Sequence, residues 1–261
     1  MRVTVCELPH EPRALASAWD ALCEHTARHQ SQLVLLPECA MVEPFWEAER
    51  FDVHRWTAAE HQSAQWLERW SELGAERVVG TRPVSVGVRR FNRGYIWSAR
   101  DGSVSLRSKV FLPDDPGGWE ARWFDAGDTC FPVYRSGGVR YGLNICTELW
   151  ALETYAAYAS LDVQLVLSPR ATALATIPKW ISVGTVAAVR SGAFSLSSNR
   201  VDDTGAYGGA GWIISPAGDI LAQTKANAPF ATVDIDLEAS AAAREGYPCS
   251  VFNVPPAHGM L

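Results

Sequence analysis

Four consecutive apolar residues, Leu33-Val34-Leu35-Leu36, constrain this chain more than any other feature. A strand sends alternate side chains to opposite faces, so a strand that is apolar throughout must be covered on both. Before it, Arg13 to His29 carries helical spacing, and Arg2 to Glu7 reads as an alternating strand. Strand, helix and doubly buried strand make a βαβ opening, which predicts parallel pairing with helices laid over the sheet. With 261 residues the chain is the size of one large α/β layered unit, and its core needs no metal or disulfide support.

The same grammar continues after an interruption. Thr57 to Leu73 has helical period and ends at Gly74, a C′ glycine, with Trp66 and Trp70 four apart on the side expected to face the core. Val88 to Trp97 and Ser103 to Val110 read as a hairpin turning at Arg100-Asp101-Gly102. From Gly138 strands and helices alternate again: Val139 to Ile145, Leu149 to Ser160 (helix), Val163 to Ser168, Pro178 to Ser191 (helix) and Ala193 to Ser198. A second hairpin follows around Pro216-Ala217-Gly218, then a strand at Ala231 to Ile235, a short helix from near Leu237, and an irregular Pro-rich tail beyond Pro248. No linker or repeat breaks this order, so a single domain spans residues 1–261, with its core in about 1–245.

Composition narrows the function. Hydrophobic residues at 48% and charged residues at 20% exclude a disordered chain. A net charge of −6 offers no basic face for nucleic acid. The first residues form a strand and not a signal peptide, and no apolar run is long enough to span a bilayer. A cytoplasmic protein with no membrane partner is expected, its six scattered cysteines reduced. His25 and His29 stand four apart on a helix, but without a third ligand no metal site is expected. Gly205 to Gly211 is glycine-rich yet precedes a strand, so it lacks the helix N-terminus that binds phosphate, and no cofactor is expected.

Three residues fall where open α/β sheets bind ligands, at the carboxyl ends of strands. Glu38 follows Leu35-Leu36-Pro37, Lys109 closes the first hairpin, and Cys146 ends Gly142-Leu-Asn-Ile at a strand-to-helix turn. A helix starting at Cys146 is expected to lower the thiol pKa and to offer N–H donors. Singly, each has an ordinary reading as a buried thiol, a helix-start acid or an edge charge. Together, and in this order, they have more weight.

The chain resembles the nitrilase superfamily of carbon–nitrogen hydrolases. Leu35-Leu36-Pro37-Glu38 is similar to that family's first motif, Lys109 with Leu112 to its second, and Glu120 to Gly127 to the segment bearing its second glutamate. Gly142 to Glu148 resembles the nucleophile motif, and Ser198-Asn199-Arg200 and Gly211 to Gly218 resemble later landmarks. The resemblance implies a four-layer α-β-β-α sandwich, a homodimer and a Glu-Lys-Cys triad. Glu38 would be general base, Cys146 the nucleophile that forms a thioester, and Lys109 with the Thr147 N–H the oxyanion donors. Glu120 would hold Lys109. Phe111 stands where many members carry histidine and Thr147 where many carry an aromatic residue, leaving more room beside the thiol.

Around this site Trp119, Trp123 and Trp150 suggest an aromatic pocket wall. Arg170 could grip a substrate carboxylate or pair with a structural acid, and Glu148 could bond the turn or the substrate. The expected substrate is a small-molecule amide or N-carbamoyl compound. A nitrile is less favoured, because nitrile-cleaving members tend to carry tryptophan after the cysteine and a longer tail. An acyl or amide transferase using the same thioester, a glutaminase subunit and a catalytically inactive binding protein are the alternatives.

Overall fold

In the strand Arg2–Leu8 (β1), Val3 and Val5 join one apolar cluster while Cys6 and Leu8 join another on the opposite face. This computed structural model describes residues 1–252. The helix Pro12–His29 (α1) starts with the Glu11 carboxylate accepting the Arg13 and Ala14 N–H groups, and buries Leu15, Trp19 and Leu22. The strand Leu33–Leu35 (β2) then runs parallel to β1, completing the βαβ unit.

The helix Val53–Glu68 (α2) passes into a 3₁₀ turn, Arg69–Leu73, that closes at Gly74 with φ 62°. Next come Arg77–Val86 (β3), Arg89–Ser98 (β4) and Gly102–Ser108 (β5). β3 pairs parallel with β2 and antiparallel with β4, and the sequence reading missed it. Its interior Pro83 and repeated arginines hide the apolar run, since proline is rare inside a strand. The short helix Glu120–Trp123 (α3) leads to Tyr134–Ser136 (β6), Val139–Leu143 (β7), Glu153–Ser160 (α4) and Leu165–Arg170 (β8). The remainder is Ile177–Ser191 (α5), Phe194–Arg200 (β9), Trp212–Ile214 (β10), Ile220–Gln223 (β11), Phe230–Asp234 (β12), Glu238–Glu245 (α6) and Cys249–Phe252 (α7).

The strands follow the order β5-β4-β3-β2-β1-β9-β8-β7-β6, with β12 on β1 and β10 and β11 beside β9. β1 and β9 touch only at their carboxyl ends, Glu7 opposite Asn199 and Leu8 opposite Arg200. There one half-sheet passes into the other, and the two faces close on each other. Val3, Leu33, Leu35 and Val79 of one half pack in a single cluster with Tyr141, Leu143, Leu165, Leu167 and Leu196 of the other. α1 covers the outer face of the first half through Trp19 and Leu22, and α4 and α5 cover the second through Tyr155, Tyr158, Val183 and Ala187. The layers are therefore α-β-β-α.

Two expectations need correction. The helix expected over Leu149 to Ser160 begins only at Glu153, because a separate 3₁₀ turn, Cys146–Trp150, precedes it. The tail expected to be irregular beyond Pro248 opens with α7, and its remainder lies outside the described residues.

Candidate active site

β2, β5 and β7 all end on the same side of the molecule, and each end carries one of the three chemically distinctive residues. Glu38, three residues past β2, is anchored by its N–H donating to the Arg170 carbonyl at 3.1 Å. Lys109 directly follows β5, and its N–H donates to the Asn92 carbonyl at 2.8 Å. Cys146 starts the 3₁₀ turn after β7 with φ 48°, in the left-handed region a cysteine rarely occupies. Such strain at a turn is tolerated where the surroundings over-determine the backbone.

The side chains of the first two meet. The Lys109 ammonium, with no exposure to solvent, donates to Glu38 Oε1 at 2.8 Å and to both oxygens of Glu120 at 2.8 and 2.7 Å. Glu120, the first residue of α3, is itself buried. Asn92 Nδ2 also donates to Glu38 Oε1, at 2.8 Å, so that oxygen takes two donors and Oε2 is left for other work. An ammonium has three protons, and its three carboxylate contacts occupy them in the resting state.

Charge in this cluster is tightly balanced. Burial acts to lower the Lys109 pKa, but the carboxylates of Glu120 and Glu38 outweigh it and hold it well above the ordinary lysine value. Burial, reinforced by Glu38 and opposed by Lys109, pushes Glu120 up to about 7. Cys146 is 4% exposed, and burial drives its thiol pKa far up, with Glu38 adding to the rise. The Lys109 ammonium pulls the other way. The expected lowering by a helix N-terminus is therefore overturned: one 3₁₀ turn of five residues supplies too few aligned peptides to offset desolvation. The resting thiol is protonated and needs a base to attack.

The turn at Cys146 is clamped from below. Glu148, fully buried, accepts two bonds from the Arg107 guanidinium, one of them at 2.8 Å, and also the N–H groups of Val110 and Ile145 at 2.6 and 2.8 Å. One carboxylate thus joins the Cys146 turn to the strand end that bears Lys109. Of the two readings left open, Glu148 bonds the turn, and it has no oxygen to spare for a substrate.

The three tryptophans do not form one wall. Trp123 is fully buried, packed on Phe45 and Phe51 with its Nε1–H given to the Ala48 carbonyl. Trp119 is half-buried under the Arg122 guanidinium, and Trp150 is exposed with its ring edge-on to Trp180. Arg170 meets neither expectation for it. It is fully buried, and its three nitrogens donate to the neutral oxygens Ser197 Oγ, Thr172 Oγ1 and the Ala210 carbonyl at 2.7, 2.8 and 2.8 Å. Thr147, directly after Cys146, is half-buried. A cavity of about 620 Å³ lined by Glu7, Leu174, Asp202, Thr204, Tyr207 and Ala210 does not include Cys146.

Sequence reasoning missed Asn92 and Arg107. Arg107 sits two residues before Lys109, so an extended chain turns both to the same side, a signal that was legible. Asn92, a buried amide opposite Pro83 across β3 and β4, needed that pairing to be seen.

A family model described as carbon-nitrogen hydrolase matches residues 2–245. An N-carbamoylputrescine amidase from Oryza sativa subsp. japonica is 24% identical over 253 residues, 87% of this chain and 82% of that protein. The N-carbamoylputrescine amidase of Arabidopsis thaliana is 26% identical over 54% of this chain and 48% of its own. Among solved structures, a carbon-nitrogen hydrolase from Helicobacter pylori G27 superposes with a TM-score of 0.85 at 18% identity, covering 96% of this chain and 94% of that one. An amidase from Nesterenkonia sp. superposes with a TM-score of 0.75 at 20% identity, over 92% of each chain.

Proposed function

From the premise that the chain belongs to the carbon–nitrogen hydrolase family, we propose that Cys146, Glu38 and Lys109 carry an amidase reaction on a small primary amide or N-carbamoyl compound. The observation that carries this reading is the buried Glu38–Lys109–Glu120 ion cluster on the same strand-end side as Cys146, itself on a strained turn. Glu38 takes the thiol proton through its unoccupied Oε2 as Sγ attacks the carbonyl carbon. The proton then goes to the leaving nitrogen, and ammonia or an amine departs. A thioester on Cys146 remains, and Glu38 next deprotonates the water that hydrolyses it.

Lys109 supports the oxyanion, together with the Thr147 N–H. In the resting site all three ammonium protons lie on carboxylates, so Lys109 must release one of its two bonds to Glu120 as the oxyanion forms. Glu120 therefore holds Lys109 in place and keeps it charged. The matched N-carbamoylputrescine amidases favour an N-carbamoyl group over a nitrile. We further infer one catalytic unit over about residues 1–245, acting as a homodimer in the cytoplasm. Two features support this: the six free thiols, which persist in a reducing compartment, and the exposed Val186 on α5 and Val251 and Phe252 on α7. No helix among the described residues is long and apolar enough to cross a membrane.

The test is a panel of primary amides, N-carbamoyl amines, ω-amido acids and nitriles, read by ammonia release. Turnover of an N-carbamoyl amine or simple amide is expected. Turnover of nitriles alone contradicts the reading.

A further inference from the structure

The ion cluster alone does not fix how the Glu38 carboxylate is turned. The last torsion of a glutamate is soft and roughly two-fold, and a lysine ammonium is a point charge with rotatable donors. Asn92, on β4 and 2% exposed, supplies the directional contact: its Nδ2 donates to Glu38 Oε1 at 2.8 Å. Its backbone carbonyl also takes the Lys109 N–H at 2.8 Å, so one residue holds both the carboxylate and the strand end that carries its cation. The amide is oriented from behind. A carboxylate only accepts, so Nδ2 must face Glu38 and Oδ1 must face away from it. There the Cys39 thiol donates to Oδ1 at 3.5 Å, and burial drives its pKa far up, which keeps that proton in place. Cys39 is anchored in turn on β3, where Thr81 Oγ1 accepts the Cys39 N–H at 2.9 Å and stands 3.7 Å from its sulfur. Cys39 has φ 43°, so backbone strain lies next to Glu38 as well as at Cys146.

Resting on the assignment of Glu38 as general base, we propose that Asn92 is a positioning residue: by holding Oε1 from a fixed amide, it selects Oε2 as the oxygen that takes the thiol proton. Lys109 by itself can serve either oxygen, whereas two donors on Oε1 leave Oε2 open. The charged and titratable groups around the amide are Glu38, which it touches, Lys109 on the same oxygen, Cys39 behind it and Glu120 beyond the ammonium. Its partner across β3 is Pro83, which does not titrate.

Two variants separate this role from a merely structural one, with kcat and KM measured on an uncharged primary amide from about pH 5 to about pH 8. Asn92→Leu cannot donate at any pH. It should lower kcat on the order of 10²-fold with KM little changed, and the deficit should not shrink as pH falls. Asn92→Asp donates only while its new carboxyl is protonated, and a carboxyl facing Glu38 stays protonated to higher pH than usual. Its rate relative to wild type should therefore rise as pH falls and pass that of Asn92→Leu at the acid end. A kcat for Asn92→Leu within a few-fold of wild type overturns the proposal, and so does an Asn92→Asp relative rate that stays flat or falls toward acid pH. If Asn92→Leu does not fold, the pH course of Asn92→Asp alone decides. Absence of wild-type turnover, or turnover that survives Cys146→Ala or Glu38→Gln, overturns the proposed reaction and this inference with it. Turnover that needs both residues but shows either contrary result at Asn92 overturns this inference only.

Discussion

At the scale of single residues the account turns on how one ammonium is shared. Lys109 is buried between two carboxylates, and removing it leaves Glu38 and Glu120 facing each other without a cation. Lys109→Met should lower kcat/KM by on the order of 10²-fold or more through the lost oxyanion donor and the misplaced base. Steady-state kinetics on the best substrate of the panel reads this directly, and a loss of only a few-fold would mean that backbone N–H groups stabilise the oxyanion unaided. Glu38, Lys109 and Cys146 were legible in sequence because each stands at a strand end beside a recognisable motif. Arg170 was legible as a residue but not in its surroundings. Its partners Ser197, Thr172 and Ala210 come from three separate segments, and sequence adjacency does not reveal that a guanidinium will be sealed among neutral oxygens.

At the scale of elements, two joints hold the site in register. The first is the Arg107–Glu148 clamp between the end of β5 and the Cys146 turn. Breaking a buried pair from one side strands a charge, typically at about 3–5 kcal/mol, so Arg107→Met and Glu148→Gln should each lower the melting temperature by on the order of 10 °C. The double variant should lose less than the sum, and additive losses in thermal unfolding would show that the two act independently. The second joint docks α1 on β12, where His25 Nε2 meets Thr232 Oγ1 at 2.8 Å. Burial, aided by the charges of His29 and Arg28, lowers the His25 pKa from 6.5 to about 4. A depressed folded value means that the contribution is present above the unfolded pKa and is lost as pH falls through the folded one. Wild-type melting temperature should therefore drop between pH 6.5 and 4, and His25→Gln should flatten that drop; an unchanged slope removes His25 from the account. Most of the longer elements could be read from periodicity, with β3 the exception, while the short α3, β6 and α7 were not read. The 3₁₀ turn at Cys146 was misread because helical spacing continues through it, while the carboxylate that tightens it is Glu148's, bonded to Ile145 N–H.

At the scale of the whole molecule, folding two half-sheets onto each other brings the strand ends of both into one site. Glu38 and Lys109 come from the first half, and Cys146 and Arg170 from the second. The outer helices are less complete: Val186 on α5 and Val251 and Phe252 on α7 are exposed, as are Trp150 and Leu152 ahead of α4. Exposed apolar residues of this kind fit the proposed homodimer. Light scattering should give twice the 28.6 kDa chain mass, and Val186→Glu should shift it toward the monomer. A monomer at micromolar wild-type protein would leave that surface without its second copy. The central claim is that this frame serves one sulfur atom. Ammonia release from the preferred amide or N-carbamoyl substrate, compared between the wild-type protein and folded Cys146→Ala and Cys146→Ser, tests it most directly. The account predicts that both variants lose on the order of 10³-fold or more of the rate. Turnover near the wild-type rate in either would show that the bond is cleaved without a thioester on Cys146.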